Sequence, residues 1–247
     1  KTVHRKTNDN MALGIFGLSN STSTLNAKAI QFLNNYGLAS ESHWSKYLGS
    51  TPALDSLLGI KYVISENQRD VSHLYNKSFK CKGDLTIYEN PYAKSIAFST
   101  YDNILSLDVS SDESKYTNPF ERMNATVAAL QGKEGTTDIF RKADVSSPSL
   151  INLTTSTVEG HKKYTPANES ESAYLIYTFT AEYNSPVYFK IPSRYPRNAK
   201  LTVNGASYGT YFSTENRRMV YIGQYEVGET VTIRLTLSED KLYLAEN

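Results

Sequence analysis

The chain has 247 residues, and its 26 lysines and arginines nearly balance 25 acidic residues, which leaves a net charge of +1. This balance gives no overall field that would gather nucleic acid or an anionic membrane face, so we expect no nucleic-acid partner. Nineteen tyrosines and a single cysteine indicate a β-rich protein without disulfides or a cysteine metal cluster. The length favours two domains.

The first elements alternate polar and apolar passages. Residues 1–7 are predicted as a strand, and Asn8, Asp9 and Asn10 as a polar turn. An apolar passage with two glycines follows at residues 11–18. Residues 20–24 then offer several possible caps for a helix that runs through Tyr36 and ends at Gly37.

The longest apolar passage, residues 51–64, is predicted as a capped helix that leads into a strand. Thr51 can accept hydrogen bonds from the first turn, Pro52 suits the first helical position, and Gly59 can end the helix. None of its side chains suggests chemistry, so this passage informs mainly about architecture. Further on, residues 74–81 and 85–88 form a candidate hairpin, residues 96–100 a strand, and the Thr-Asn-Pro run at 117–119 opens another helix.

Beyond Asp138 the pattern predicts almost only strands, beginning with residues 139–141. Asn204 and Gly205 are the strongest turn signal, because both residues tolerate the positive φ of a tight hairpin. We therefore predict an α+β fold at residues 1–134, with helices packed on a mixed sheet. Residues 135–247 are predicted to form an antiparallel, jelly-roll-like β-sandwich.

Signatures of catalysis and of cofactor binding are missing from the sequence. The four histidines are far apart and have no second ligand at metal-site spacing, so we expect no metal. No nucleophile elbow or phosphate-binding glycine loop is present, so we expect no catalytic residue and no cofactor.

One polar cluster could bind a ligand. It lies at the end of the first predicted strand and consists of His4, Arg5, Asn8, Asp9 and Asn10. A cation, an imidazole and short amides can bind a phosphate or sugar hydroxyls. A hydrogen-bonded strand terminus is the alternative, and the pattern favours it about two to one.

Tyrosines of the second half suggest a different function, a carbohydrate-binding or adhesive module. Their rings could stack on sugars; they are Tyr183, Tyr188, Tyr195, Tyr208, Tyr211 and Tyr221. Tyrosine is also an ordinary strand residue, so packing is the interpretation that we favour.

Several motifs, taken in order, resemble the YfhO family of bacterial membrane proteins. They include Arg5 with residues 8–10, the Leu-Leu-Gly-Ile-Lys-Tyr-Val-Ile run at 57–64, the Tyr-Glu-Asn-Pro run at 88–91 and the Asn-Pro-Phe-Glu-Arg-Met-Asn run at 118–124. Residues 202–205 and 228–233 are similar to the β-rich end of that family. Met123 departs from the pattern, which has glutamine at this position.

The resemblance implies a multi-spanning bacterial cell-membrane protein related to glycosyltransferases that use lipid-linked sugars. Such proteins are associated with glycosylation of lipoteichoic acid or similar cell-envelope polymers. The catalytic acid is then expected outside this chain, which would be a noncatalytic extracytoplasmic part. Its expected partners are its own missing transmembrane helices and a cell-envelope glycopolymer or lipid-linked sugar.

Overall fold

The computed structural model describes residues 8–65, 75, 77–80, 85–107, 118–190, 199–210 and 219–244. The chain divides into two compact units, Lys1–Arg141 and Lys142–Asn247. The boundary proposed from the sequence after residue 134 stays a prediction. The strand predicted for residues 1–7 lies outside the described residues.

Four α-helices are described, all in the first unit, and local capping explains where two of them begin. They are α1 (Asp9–Ala12), α2 (Ala27–Asn35), α3 (Pro52–Leu57) and α4 (Pro119–Leu130), and a 3-10 helix spans Asp102–Ser106. Thr51 Oγ1 accepts from the Leu54 amide at 3.3 Å, and Asn118 Oδ1 accepts from the Glu121 amide at 2.9 Å. The predicted Thr51 cap is therefore confirmed, and Asn118 caps the helix that was predicted to open at residues 117–119. The cap of α2 is Asn26 and not a residue of 20–24, because Asn26 Oδ1 accepts the amides of the first turn.

The strands of the first unit are short and form two antiparallel sheets. They are β1 (Asn20–Ser21), β2 (Ser40–Glu41), β3 (Trp44–Ser45), β4 (Tyr62–Ser65), β5 (Lys77–Lys80) and β6 (Thr86–Glu89). The sheet orders are β1-β3-β2 and β4-β6-β5. Pairing of β5 with β6 confirms the predicted hairpin. The strands predicted at residues 96–100 and 139–141 are wrong, because neither segment pairs with a strand.

The α+β prediction for the first half, helices packed on a mixed sheet, is wrong. One core joins Leu54 of α3, Met123 of α4 and Tyr36 and Leu38 after α2, so the three helical segments share one core. Val63, Tyr75 and Tyr88 form a separate small core at the second sheet. Strands of two to four residues offer too little apolar face to receive several helices.

The second unit consists of strands in three antiparallel sheets. The strands are β7 (Ser149–Ile151), β8 (Leu153–Val158), β9 (His161–Pro166), β10 (Tyr174–Thr180), β11 (Ser185–Phe189), β12 (Ala199–Val203), β13 (Ala206–Thr210), β14 (Val220–Tyr225), β15 (Thr230–Leu237) and β16 (Leu242–Leu244). The orders are β13-β12-β15-β10-β7, β16-β9-β8 and β11-β14. Asn204 and Gly205 have φ values of 47° and 80°, which confirms the predicted tight turn between β12 and β13.

The predicted β-sandwich is also wrong, because these strands form three small sheets around one core. That core takes buried residues from β9, β10, β12, β14, β15 and β16. β16 directly follows β15 in the chain and yet pairs with β9. Alternation of apolar residues predicts which side chains face inward, but it does not predict which strands exchange hydrogen bonds.

Candidate functional site

The predicted polar cluster is only partly within the described structure. His4 and Arg5 lie outside the described residues, whereas Asn8, Asp9 and Asn10 lie at the start of α1. The Asn8 amide does not cap this helix. Its Nδ2 donates to the Ser21 carbonyl at 2.9 Å, and its Oδ1 accepts from the Ser21 amide at 2.6 Å. Asn8 therefore closes the segment between residues 8 and 21, in place of the simple turn that was expected.

Asn10 makes a second hydrogen bond within the segment between residues 8 and 21. Its Nδ2 donates to the Gly17 carbonyl at 3.3 Å. A Cβ atom at position 17 would lie 3.0 Å from the Asn10 Cβ, so only glycine fits without a shift. Oδ1 of Asn10 and Oδ1 of Asn20 are buried and have no hydrogen-bond partner among the described residues. The sugar-binding role of His4, Arg5, Asn8, Asp9 and Asn10 stays a prediction.

Two further asparagines use the two-way contact made by Asn8. Asn124 binds the amide and the carbonyl of Phe140, both at 2.8 Å. Asn152 binds the carbonyl of Asn168 at 2.8 Å and its amide at 2.9 Å. We call these three contacts asparagine clips. Each clip satisfies one backbone donor and one backbone acceptor, as a paired strand would.

The segment closed by Asn8 carries an unusual surface. Residues 11–17, Met-Ala-Leu-Gly-Ile-Phe-Gly, are all exposed, and none has a polar side chain. Phe16 has a relative exposure of 107% and Met11 of 63%, and Leu13 and Ile15 are also exposed. We call residues 11–17 the apolar segment. Consecutive exposed apolar side chains of this size indicate a contact surface rather than ordinary surface composition.

The described residues of the first unit include a buried carboxylate. Asp55 lies in the first turn of α3 and has an exposure of 0%. Its Oδ1 accepts from Ser50 Oγ at 2.5 Å, and its Oδ2 accepts from the hydroxyl groups of Tyr47, at 2.5 Å, and Tyr75. Three hydroxyl donors therefore surround one carboxylate, which satisfies much of its acceptor capacity.

Burial raises the pKa of Asp55, and the hydrogen bonds from Ser50, Tyr47 and Tyr75 offset part of this increase. Burial also raises the pKa of Tyr47, and the charge on Asp55 raises it further, so this hydroxyl remains a donor. Because Asp55 has no exposed surface, its carboxylate cannot reach a ligand in this conformation. We conclude that this cluster connects α3 with the segments that carry Tyr47 and Tyr75.

The sequence interpretation missed this cluster, although one signal was available. Asp55 follows Leu54 and lies next to the apolar face that Leu54 and Leu58 form on the helix. An acidic residue near such a face is expected to be paired when the face is buried. Its partners could not have been predicted, since Tyr75 is 20 residues away in the chain.

The described tyrosines of the second unit do not form an exposed face. The rings of Tyr188 and Tyr221 pack in a tilted arrangement with centroids 5.8 Å apart. Tyr208 packs against the core and donates to the Ile222 carbonyl at 3.0 Å. Of the described members of this set, only Tyr183 is largely exposed, and Tyr195 and Tyr211 lie outside the described residues. The described residues therefore give no support to a tyrosine-lined sugar platform.

Comparison with known proteins decides the family. The sequence matches the family described as bacterial membrane protein YfhO, over residues 1–247. The chain belongs to the YfhO family. No curated protein matches it significantly. The resemblance inferred from the motifs is therefore confirmed.

Membership in the YfhO family gives the chain a membrane-associated role. Within the described part of the chain, no helix has both the length and the apolar character needed to cross a bilayer. The same residues contain no group of three or more metal-ligating side chains.

Proposed function

We propose that this chain is the extracytoplasmic part of a multi-spanning membrane protein that glycosylates lipoteichoic acid or a related cell-envelope polymer. It would not be catalytic by itself. It would shape the site at which a lipid-linked sugar meets its acceptor, beside the membrane-spanning helices of the same protein. The observation that carries this proposal is the YfhO family match over residues 1–247.

The chemistry of the described residues is compatible with a noncatalytic role. The carboxylate of Asp55 is buried and bound by three hydroxyl groups, so it cannot serve as an accessible acid or base. Asn8 and Asn10 direct their amides toward backbone groups of their own segment. Asp9, in the first turn of α1, is the described acidic residue of the predicted binding cluster.

A binding titration tests the proposed contact with the polymer. The chain would be titrated with purified lipoteichoic acid and with short glycans, alongside Asp9→Ala and Arg5→Ala. We expect saturable binding that both variants weaken, while Asp102→Ala, an exposed acid in the 3-10 helix, binds like the wild type. Binding that is unchanged in Asp9→Ala and Arg5→Ala would remove this cluster from the proposed site.

An activity assay tests the noncatalytic assignment separately. The 247-residue chain and the complete membrane protein would each be incubated with lipid-linked sugar and acceptor polymer. We expect sugar transfer only by the complete protein. Turnover by the chain alone would overturn the assignment.

A further inference from the structure

We propose that the apolar segment, residues 11–17, docks on the lipid surface of the membrane and inserts its bulky side chains among the lipid headgroups. This inference rests on the membrane family and on the surface of the segment, and not on the glycosylation that we propose. The two proposals can therefore fail independently.

The first argument is the exposure of the side chains. Phe16 is as open as a ring in an extended peptide, so no part of the described protein packs on it. Met11, Leu13 and Ile15 are exposed beside it, and no polar residue interrupts the run. Side chains of this kind transfer favourably from water to the boundary between headgroups and acyl chains.

The second argument is that the segment is held in place. The Asn8 clip binds residue 8 to Ser21, and Asn10 binds Gly17 within the same segment. A segment fixed at both ends loses less conformational entropy on docking than a free chain does. The hydrogen bonds of Asn8 and Asn10 thus order the apolar segment before it binds.

The third argument is the local charge. Lys1, Arg5 and Lys6 precede the segment in the sequence, whereas Asp9 is the only acidic residue among the first 17. The whole chain is nearly neutral, so this basic stretch is a local feature of the sequence. Basic residues that closely precede apolar residues in the sequence match an anionic lipid surface, which attracts each cation and receives the apolar groups.

A lipid surface fits this segment better than a separate protein partner does. A stable protein interface takes about 20 to 30 residues from each side, which greatly exceeds one run of this length. A short exposed run is enough for the interfacial zone of a bilayer, where binding grows with the apolar area that is inserted.

Vesicle binding tests the proposal. The 247-residue chain would be sedimented with vesicles of phosphatidylcholine and phosphatidylglycerol, beside Phe16→Ser and the control Ile96→Ser. Ile96 has an exposure of 104% and lies in the same unit, so it matches Phe16 in openness. We expect Phe16→Ser to weaken partitioning about tenfold, since a Phe side chain loses its burial, and Ile96→Ser to change it less than about twofold.

A fluorescent variant gives an independent readout that does not depend on loss of binding. Phe16→Trp and Ile96→Trp would each be made in a Trp44→Phe background, which removes the only native tryptophan. We expect a blue shift of the emission on adding vesicles for Phe16→Trp and none for Ile96→Trp. Circular dichroism would first establish that both variants keep the wild-type fold.

Three outcomes would overturn the proposal. They are failure of the wild-type chain to bind these vesicles, equal weakening by Phe16→Ser and Ile96→Ser, and a fluorescence shift that is the same at both positions. Self-association in solution that Phe16→Ser abolishes, without vesicle binding, would assign the segment to a second copy of the chain and would equally refute the lipid assignment.

Discussion

The side chain of Asn124 binds both the amide and the carbonyl of Phe140, 16 residues later in the chain. Asn124 lies in α4 and is buried, so the contact fixes the passage after the helix against the helix itself. Because both polar groups of Phe140 are satisfied by one side chain, their loss is expected to be costly.

We expect Asn124→Ala to lower the free energy of unfolding by about 2 to 4 kcal/mol, because both hydrogen bonds are lost and two backbone groups in a partly buried contact lose this partner. Asn103→Ala is the matched control, since Asn103 is partly exposed and donates a single, longer bond of 3.5 Å to Lys133. It should change the free energy by less than about 0.5 kcal/mol. Urea unfolding would measure both, and equal effects would contradict the importance of the clip.

Asp55 gives the protein a specific dependence on pH. Because burial raises the pKa of Asp55 in the folded state, its protonation favours folding. The stabilising contribution is complete below the ordinary carboxyl pKa of about 3.9 and is lost as pH rises through the raised folded value. Asp55→Asn removes this titration and leaves one hydroxyl partner with an amide in place of an acceptor oxygen, at a cost of about 1 to 3 kcal/mol.

The measurement for Asp55 is urea unfolding of the wild type and Asp55→Asn at several pH values from 4 upward. We expect the advantage of the wild type over the variant to be largest at the acid end and to shrink as pH rises. An advantage that grows with pH would show that the hydrogen bonds from Tyr47, Ser50 and Tyr75 outweigh burial.

Gly132 and Gly135 form a natural comparison of steric crowding. Both have positive φ, 71° and 80°, so alanine is strained at either position. A Cβ at Gly132 would lie 2.8 Å from the ring of Tyr101, whereas a Cβ at Gly135 meets nothing within 4 Å. We expect Gly135→Ala to cost about 1 kcal/mol and Gly132→Ala about 1 kcal/mol more. Thermal unfolding would compare them, and equal melting temperatures would mean that Tyr101 moves aside freely.

We expect the Tyr225 hydroxyl to lose its proton at a higher pH than an ordinary tyrosine does. Burial raises its pKa to about 12, with smaller contributions from Tyr208, Tyr221 and Glu229. The Tyr225 hydroxyl donates to the Ile222 carbonyl at 2.7 Å. Its contribution to stability is complete below about pH 10 and is lost as pH rises through about 12.

Ultraviolet titration of tyrosinate in the wild type and in Tyr225→Phe would isolate this group. The difference between the two curves should rise near pH 12 rather than near pH 10. A difference curve centred near 10 would mean that the hydroxyl is open to solvent.

Local signals in the sequence predicted what short-range chemistry controls. The caps at Thr51 and Asn118 and the turn at Asn204 and Gly205 each depend on neighbours within a few residues, and all three are present. Sheet membership depends on distant partners, and for that reason the sandwich was predicted wrongly. β10, for example, lies between β7 and β15, and no local pattern specifies either neighbour.

In the candidate site, too, local features could be predicted from the sequence and contacts between distant residues could not. The polar character of Asn8 to Asn10 and the apolar run after them are readable directly, but the contact between Asn8 and Ser21 is not. For Asp55, the helix was predicted correctly but the burial was not. Its burial comes from packing against Tyr47 and Tyr75, whose positions could not be predicted from the sequence.

The asparagine clips place unequal demands on the two residues that they join. Asn8, Asn124 and Asn152 must each supply a carbonyl and an amino group, whereas their partners contribute only main-chain atoms. Replacing Ser21 by any residue except proline therefore keeps both main-chain partners of its clip, while replacing Asn8 removes both bonds. In a segment closed in this way, side chains outside the clip can change while one asparagine preserves the attachment, so the bulky apolar side chains can be altered, whereas Gly17 cannot be replaced without a shift against Asn10.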